Sequence, residues 1–436
     1  MKESHIRLGN RPFIYSLLSE VWRIQLGGLF VLTVISFFPV FFHVEEILFF
    51  ILLGLTILAG WLEEKDLRVR TPIDLPLLLL LAWILLTIPF SLNPEYSFME
   101  WRKFVAQCLV FYWAVYVIRE ISPRQLGERR GQPYRWLKCI RGQNSPQMVF
   151  LGVLLGVCLL TIFALADFID RGGNWQDRNI RARVPGSDYN WLSTYLVLSV
   201  PVVFYWGITS RFLLEKIFSY CTLTLALFTH VASYTRAGWL ACAVQLFSWG
   251  FVTRRRLVLA SLFLGIILLL PVALIGIGQR GYHVDTLDAW TLETRIQVWK
   301  LGVEQIIKHP IVGIGYGNNN FQPVLIDSRM GDSPMHLHNT LLMFGVGNGI
   351  PGFVFFLWVF IRLGREFFPR INRNNLTDSE TLKLCLGIVL VGFFCRNLFD
   401  YMFAGSVAYL FWILMACGIA EPLNRAQAKD PRYSLS

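Results

Sequence analysis

Residues 338–364 read HNTLLMFGVGNGIPGFVFFLWVFIRLG, an apolar run whose one charged residue is Arg362. About 20 apolar residues in a helix are enough to cross the hydrocarbon core of a bilayer. Comparable runs occur at about 24–42, 45–62, 73–93, 104–120, 147–169, 191–209, 217–234, 237–253, 257–278, 383–400 and 402–420. The sequence therefore predicts an all-α polytopic membrane protein with about twelve transmembrane helices.

The composition agrees with this prediction. The chain has 436 residues, of which 55% are hydrophobic and only 16% charged, and this excludes an ordinary soluble globule. A net charge of +11 would suggest nucleic acid as a partner of a soluble protein. Here the basic residues cluster in the segment 119–141 and in the run 254–256, where the positive-inside rule accounts for them. We expect both termini in the cytoplasm and no nucleic-acid partner.

A polar stretch at 279–337 separates the ninth and tenth predicted spans. It predicts an amphipathic helix, which ends at His309-Pro310, because a proline disfavours helix at the residue before it. The apolar positions that recur at helical spacing are Ile296, Trp299, Val303 and Ile306. We interpret residues 1–436 as a single transmembrane domain in which 279–337 forms a large, partly helical exterior loop or lid.

A motif joins this stretch to the next span. His338-Asn339 is followed by nine residues, then Gly349, two residues and Gly352, and related segments lie upstream at 233–238 and 295–299. In these residues, within 233–352, the chain resembles the O-antigen ligase and O-antigen polymerase superfamily of bacterial inner-membrane glycosyltransferases.

The resemblance carries expectations about fold and function. It implies the architecture of membrane glycosyltransferases of the GT-C type, in the inner membrane, with an active site facing the periplasm. The implied reaction, inverting and independent of metal, moves O-antigen glycan from undecaprenyl pyrophosphate to a hydroxyl of lipid A-core, completing lipopolysaccharide. No cofactor is implied.

His338 is the first candidate for chemistry. A neutral imidazole can take a proton from a sugar hydroxyl, although a histidine at this boundary could instead only cap a helix. His336 is a weaker candidate, because residues two apart on a helix do not share a face. Asn339 completes the motif as a secondary candidate.

Two arginines are candidates for binding the donor pyrophosphate, since a guanidinium group binds phosphate oxygens in pairs. Arg236 lies at the turn between two apolar spans, where a charge is costly unless it has a function. Arg295 lies in the predicted amphipathic helix, where a solvated surface residue is the alternative. Both positions match arginines that the resembling family uses near its donor phosphates.

The loop before the sixth span supplies further candidates. Arg181, Asp188 and Asn190 could form part of a pyrophosphate or glycan surface, and contact with lipid headgroups is the alternative. Asp188 is the alternative base if His338 is not one.

Other features receive structural predictions. Arg396 and Asp400 are four apart and should pair. The glycines at 313, 315 and 317 should permit a tight turn, and those between 345 and 352, with Pro351, should kink the span that follows His338. A metal site of His283, His309, His336 and His338 is the minority interpretation, because no carboxylate-rich or HExxH spacing accompanies them.

Two alternative functions stay open at this stage. The same residues could serve an O-antigen polymerase or a protein O-oligosaccharyltransferase, which differ chiefly in the acceptor. Intramembrane arginine also suits a transporter of anionic substrates. Against transport, the two halves of the sequence show no inverted repeat, and the polar groups cluster at one face of the membrane instead of at its midplane.

Overall fold

The computed structural model describes residues 12–120, 145–173, 180–184, 186–253, 285–328, 336–368 and 377–420. In these ranges the chain is helical and contains no strand. The helices are α1 Pro12–Ile35, α2 Phe42–Leu62, α3 Asp74–Thr87, α4 Pro94–Glu120, α5 Ser145–Asp170, α6 Tyr189–Thr209, α7 Leu213–Ala232, α8 Arg236–Thr253, α9 Asp285–Lys308, α10 Gln322–Asp327, α11 Thr340–Phe367, α12 Asp378–Asn397 and α13 Gly405–Ala420.

The helices confirm that the chain is a helical membrane protein. By length and composition four described segments can cross a membrane, namely 39–62, 146–170, 189–209 and 340–367. Three shorter apolar helices accompany them, at 24–35, 74–90 and 405–420. The predicted ranges fall on helices except for 257–278, which lies outside the described residues. The count of twelve spans stays a prediction.

Helix α13 lies at the centre of the bundle. Every residue from Ser406 to Ala420 is buried, as expected of a helix that is apolar on all sides. It packs closely against α4, while α6 packs against α7 and α12. The periphery is different, since α2 exposes Ile47, Ile51 and Trp61. In a membrane protein such exposed apolar side chains are the surface that contacts lipid.

Helix α11 is kinked where the sequence predicts it. Asn348 and Gly349 have non-helical backbone angles, and φ of Gly349 is 69°. The backbone groups released by the kink bond to the segment after α9: Ile314 N donates to Val346 O at 2.9 Å, and Ile350 N donates to Pro310 O at 2.8 Å. These bonds satisfy polar backbone that would otherwise be costly within a bilayer.

The kink also explains why the motif has glycine at positions 349 and 352. A side chain at Gly349 would collide with the carbonyl of Ile311, and its positive φ favours glycine. A side chain at Gly352 would collide with Asn348. The turn at 313–317 has positive φ at all three of its glycines, as predicted. The motif therefore brings the 310–317 segment against the middle of α11.

Helix α9 ends at Lys308, directly before His309-Pro310, as predicted. Only part of its predicted apolar face is packed, because Trp299 and Ile306 are partly buried while Ile296 and Val303 are 42% and 48% exposed. Val298 is buried instead, and Gly302 lies against Leu337 and Leu342. The helix packs on α11 along this narrow side. Helical spacing alone did not identify it, since the exposed side carries Ile296 and Val303 as well as charged residues such as Lys300 and Glu304.

Candidate active site

The candidate site is built around the segment from His336 to Asn339, which immediately precedes α11. Trp299 of α9 holds this segment by donating from Nε1 to the carbonyl of Leu337 at 2.8 Å. His338 has φ of 47°, an uncommon angle for a residue other than glycine. Asn339 caps α11, since its Oδ1 accepts from Leu342 N at 3.0 Å. The backbone is thus fixed on both sides of His338.

His338 bonds to a carboxylate from the opposite part of the sequence. Its Nδ1 lies 3.0 Å from Oδ1 of Asp400, in the loop between α12 and α13. Because a carboxylate only accepts hydrogen bonds, Nδ1 carries the hydrogen in this pair. The second nitrogen, Nε2, is then the one able to accept a proton. This is the arrangement in which a carboxylate orients a histidine base.

His336 belongs to the same cluster. Its Nε2 lies 3.2 Å from the same oxygen of Asp400, and its ring centroid is 3.9 Å from that of His338. The prediction that these two histidines face apart was wrong, because it assumed a helix and α11 begins only at Thr340. In this non-helical segment, which bends at His338, the two rings lie side by side.

Asp400 is held by several further bonds. Arg396 donates to its Oδ2 at 3.3 Å, which confirms the predicted pair. The backbone N–H of Tyr401 donates to its Oδ1 at 2.9 Å. Thr340 bonds both the carbonyl of Asp400, at 3.1 Å, and Oδ1 of Asn397, at 2.6 Å. These contacts fasten the start of α11 to the end of α12.

The burial of the cluster changes its ionisation. Burial lowers the pKa of His338, and the charges of His336 and Arg295 lower it further, while Asp400 acts in the opposite direction. Burial alone would raise the pKa of Asp400, but bonds from both histidines and the charge of Arg396 hold it well below its usual range. Near neutral pH the site therefore contains an ionised carboxylate and a neutral His338.

The loop before α6 contributes through Asn190. Arg396, which is fully buried, donates to Oδ1 of Asn190 at 3.0 Å as well as to Asp400. Asp188 caps α6, because its Oδ1 accepts from the N–H groups of Asn190 at 2.8 Å and Trp191 at 2.9 Å. Asn190 is thus part of the cluster, whereas the carboxylate of Asp188 is engaged at the helix start.

The predicted arginines are distributed around this cluster. Arg295 is half-buried on α9, and it influences the ionisation of both His338 and Arg396. Arg236 begins α8 and is exposed, two residues after Tyr234, whose φ is 49°. Arg181 lies over the ring of Tyr189, with its guanidinium carbon 4.5 Å from the ring centroid. The structure therefore brings Arg295 into the electrostatic range of His338.

The ligand atoms of His336, His338 and Asp400 lie within 4.8 Å of one another, close enough to hold a metal ion together. Two imidazoles and a carboxylate form a donor set that suits zinc. The separations of 3.0 and 3.2 Å from the histidine nitrogens to Oδ1 are also ordinary hydrogen bonds. His309 is not in the group, and His283 lies outside the described residues. Independence of metal stays a prediction.

Comparison with known families gives the cluster its context. Residues 221–357 match the family model Wzy_C, described as O-antigen ligase. The chain is therefore similar to the O-antigen ligase family over residues 221–357. The matched range contains Arg236, Arg295, His336 and His338. A search of curated proteins finds no match to the chain.

The matched range does not contain the whole cluster. Asp400, Arg396 and Asn190 lie outside the matched residues, yet they hold its histidine in place. Sequence reasoning paired Asp400 with Arg396 and missed its bonds to the histidines. Their positions could have indicated this contact, because His338 begins one apolar run and Asp400 ends another.

Proposed function

We propose that this protein is an O-antigen ligase, which transfers O-antigen polysaccharide from undecaprenyl pyrophosphate to a sugar hydroxyl of lipid A-core. The observation that carries the proposal is the bond from His338 to Asp400 at the edge of a domain of the O-antigen ligase family. Glycosyltransferase-like ligation or polymerisation is the activity of this family. The donor and the acceptor named here are the proposal.

In the proposed reaction His338 is the general base. The acceptor hydroxyl loses its proton to Nε2 of His338, and its oxygen forms the new bond to the anomeric carbon of the donor sugar. The bond from that carbon to the phosphate oxygen breaks, and pyrophosphate on the lipid leaves with the electron pair. Attack from the opposite face inverts the anomeric carbon. General base catalysis of this kind contributes roughly 10²- to 10⁴-fold.

Arg236 and Arg295 bind the leaving pyrophosphate in this proposal. Two guanidinium groups neutralise the charge that develops on the departing phosphate, the task that a divalent metal performs in other transferases. The half-buried position of Arg295 near His338 supports its role. Asp400 is a positioning residue, because it acts by orienting and stabilising the imidazole.

The proposed site faces the periplasm from the inner membrane, with about twelve spans and both termini in the cytoplasm. Residues 279–337 form a lid over it within a single transmembrane domain. Its location supports this, because the cluster lies where α6 and α11 begin and α12 ends. A site at the ends of helices favours an enzyme over a transporter, whose substrate site lies near the bilayer midplane.

The test is reconstitution of the protein with undecaprenyl-pyrophosphate-linked glycan and a chelator, in separate reactions with lipid A-core, with an acceptor protein, and with neither. Gel mobility of the products separates the outcomes. Glycan joined to lipid A-core is the expected result. Lengthening of lipid-linked glycan without lipid A-core would identify a polymerase, and transfer to a protein an O-oligosaccharyltransferase. Absence of any glycan transfer would contradict the proposal that the protein is a glycosyltransferase.

A further inference from the structure

The ligand atoms of three side chains converge at the candidate site. Nε2 of His336 and Nδ1 of His338 lie 3.2 and 3.0 Å from Oδ1 of Asp400, and all three atoms are within 4.8 Å of one another. A point equidistant from atoms spaced in this way can lie about 2.0–2.5 Å from each, and zinc bonds to imidazole nitrogen and carboxylate oxygen are about 2.0–2.2 Å long. Small rotations of the two rings would therefore bring all three atoms to bonding distance from one ion.

The cluster is accessible through its histidines and held in place at its carboxylate. The side chains of His336 and His338 are 31% and 25% exposed, whereas that of Asp400 is 2% exposed. Arg396 donates to Oδ2 of Asp400, and the N–H of Tyr401 donates to Oδ1. Carboxylates that bind metals are usually hydrogen-bonded in this way by groups that do not touch the ion. An ion would take the place of the two hydrogens that now lie between the histidines and Asp400.

The charges around the cluster limit how tightly it can hold a cation. Asp400 supplies one negative charge, but the guanidinium group of Arg396 acts on this carboxylate and that of Arg295 acts on His338. Three protein ligands, two of them neutral imidazoles, leave the fourth position of a tetrahedral zinc ion to water. We therefore expect a dissociation constant of roughly 1–100 μM, far weaker than that of structural zinc sites with four protein ligands.

We propose that His336, His338 and Asp400 form a zinc site, and that zinc bound there inhibits glycan transfer. The inhibition follows from the chemistry of imidazole. A neutral imidazole carries one hydrogen, and zinc on Nδ1 of His338 requires that hydrogen to be on Nε2. Nε2 is then a donor, so it cannot take the proton of the acceptor hydroxyl. The inhibition rests on the proposed function, whereas the binding of zinc does not.

The first measurement is zinc binding by the protein in lipid nanodiscs, without a histidine tag, in competition with a fluorescent zinc chelator. Wild type should hold a zinc ion that His336→Gln and Asp400→Asn each bind about tenfold more weakly or worse, because each lacks one ligand. His309→Gln is the matched control, because His309 is exposed in the same polar stretch and is not part of the cluster. Wild-type zinc affinity in both cluster variants, or a wild type that binds no zinc at about 1 mM, would overturn the site.

The second measurement is glycan transfer to lipid A-core at increasing zinc, with each protein compared with its own rate in chelator. Half-inhibition of wild type should occur near its dissociation constant for zinc, and excess chelator should restore the rate. Magnesium, which prefers oxygen ligands, should not inhibit, and His336→Gln should need about tenfold more zinc or more. A wild-type rate that zinc leaves unchanged or raises would overturn the inhibition. Absence of transfer by wild type even in chelator would instead contradict the proposed function, and the binding measurement would still decide the site.

Discussion

His338 and Asp400 are 62 residues apart in sequence, and Nδ1 of the histidine lies 3.0 Å from Oδ1 of the aspartate. The carboxylate is nearly inaccessible to solvent, with 2% of its side chain exposed. In such a place the pair orients the imidazole and stabilises the positive charge that it gains as a base.

Replacing Asp400 with Asn should lower kcat by about 100-fold, within the range that general base catalysis supplies, with a much smaller effect on KM. The amide keeps the shape but loses the charge that stabilises protonated His338. Steady-state rates with lipid-linked glycan and lipid A-core measure this. Asp167→Asn is the control, because that partly exposed carboxylate binds Arg171, outside the cluster. Equal effects of the two substitutions would refute the role of Asp400.

The pH profile gives an independent test. Burial lowers the pKa of His338 from its usual 6.5, so the active neutral form should persist into mildly acidic solution. The acidic limb of kcat/KM should therefore have its midpoint below about 6.5. Since Asp400 raises the pKa of His338, Asp400→Asn should move this midpoint lower still. A midpoint above 6.5 in wild type, or an upward shift in the variant, would contradict the account.

The guanidinium groups should matter beyond their charge. Arg236→Lys and Arg295→Lys keep a cation but lose the planar fork that binds two phosphate oxygens at once. Each should reduce kcat/KM for the lipid-linked donor by about tenfold or more, equivalent to roughly 1.4 kcal/mol. Lys300→Arg is the control, because it replaces one exposed cation with another on the same helix as Arg295, and it should have little effect. Donor titrations measure these values, and wild-type behaviour of both lysine variants would exclude pyrophosphate binding.

The kink in α11 should be sensitive to a single methyl group. Gly349 has φ of 69° and lies against the carbonyl of Ile311, so Gly349→Ala should destabilise the fold by about 2 kcal/mol or more. Gly27→Ala is the control, because nothing lies within 4 Å of a side chain added there. Thermal unfolding in detergent compares the two. Equal melting temperatures would mean that the kink does not need its glycine.

The features that depend on neighbouring residues in the sequence were predicted correctly. Apolar run length located the described helices, His309-Pro310 marked the end of α9, and the glycines around 349 marked the kink. Arg396 and Asp400 were correctly paired from their spacing of four residues, although α12 ends at Asn397 and Asp400 lies in the loop that follows.

The candidate site depended on contacts that no local pattern encodes. The bonds of His336 and His338 to Asp400 join two loops. They could not be inferred from spacing, because a non-helical backbone with a bend at His338 replaces the assumed helix at 336–339. The buried face of α9 was hidden for another reason. Ile296 and Val303 lie on its exposed side among Lys300 and Glu304, so the spacing of apolar residues alone did not separate the exposed side from the packed side.

The most direct measurement is single-turnover glycan transfer by His338→Gln, with donor and acceptor both saturating. Glutamine can keep a hydrogen bond to Asp400 but cannot take a proton near neutral pH. If His338 is the base, the rate should fall by about 10²-fold or more, while binding of both substrates persists. A variant that transfers glycan to lipid A-core at the wild-type rate would contradict the central claim.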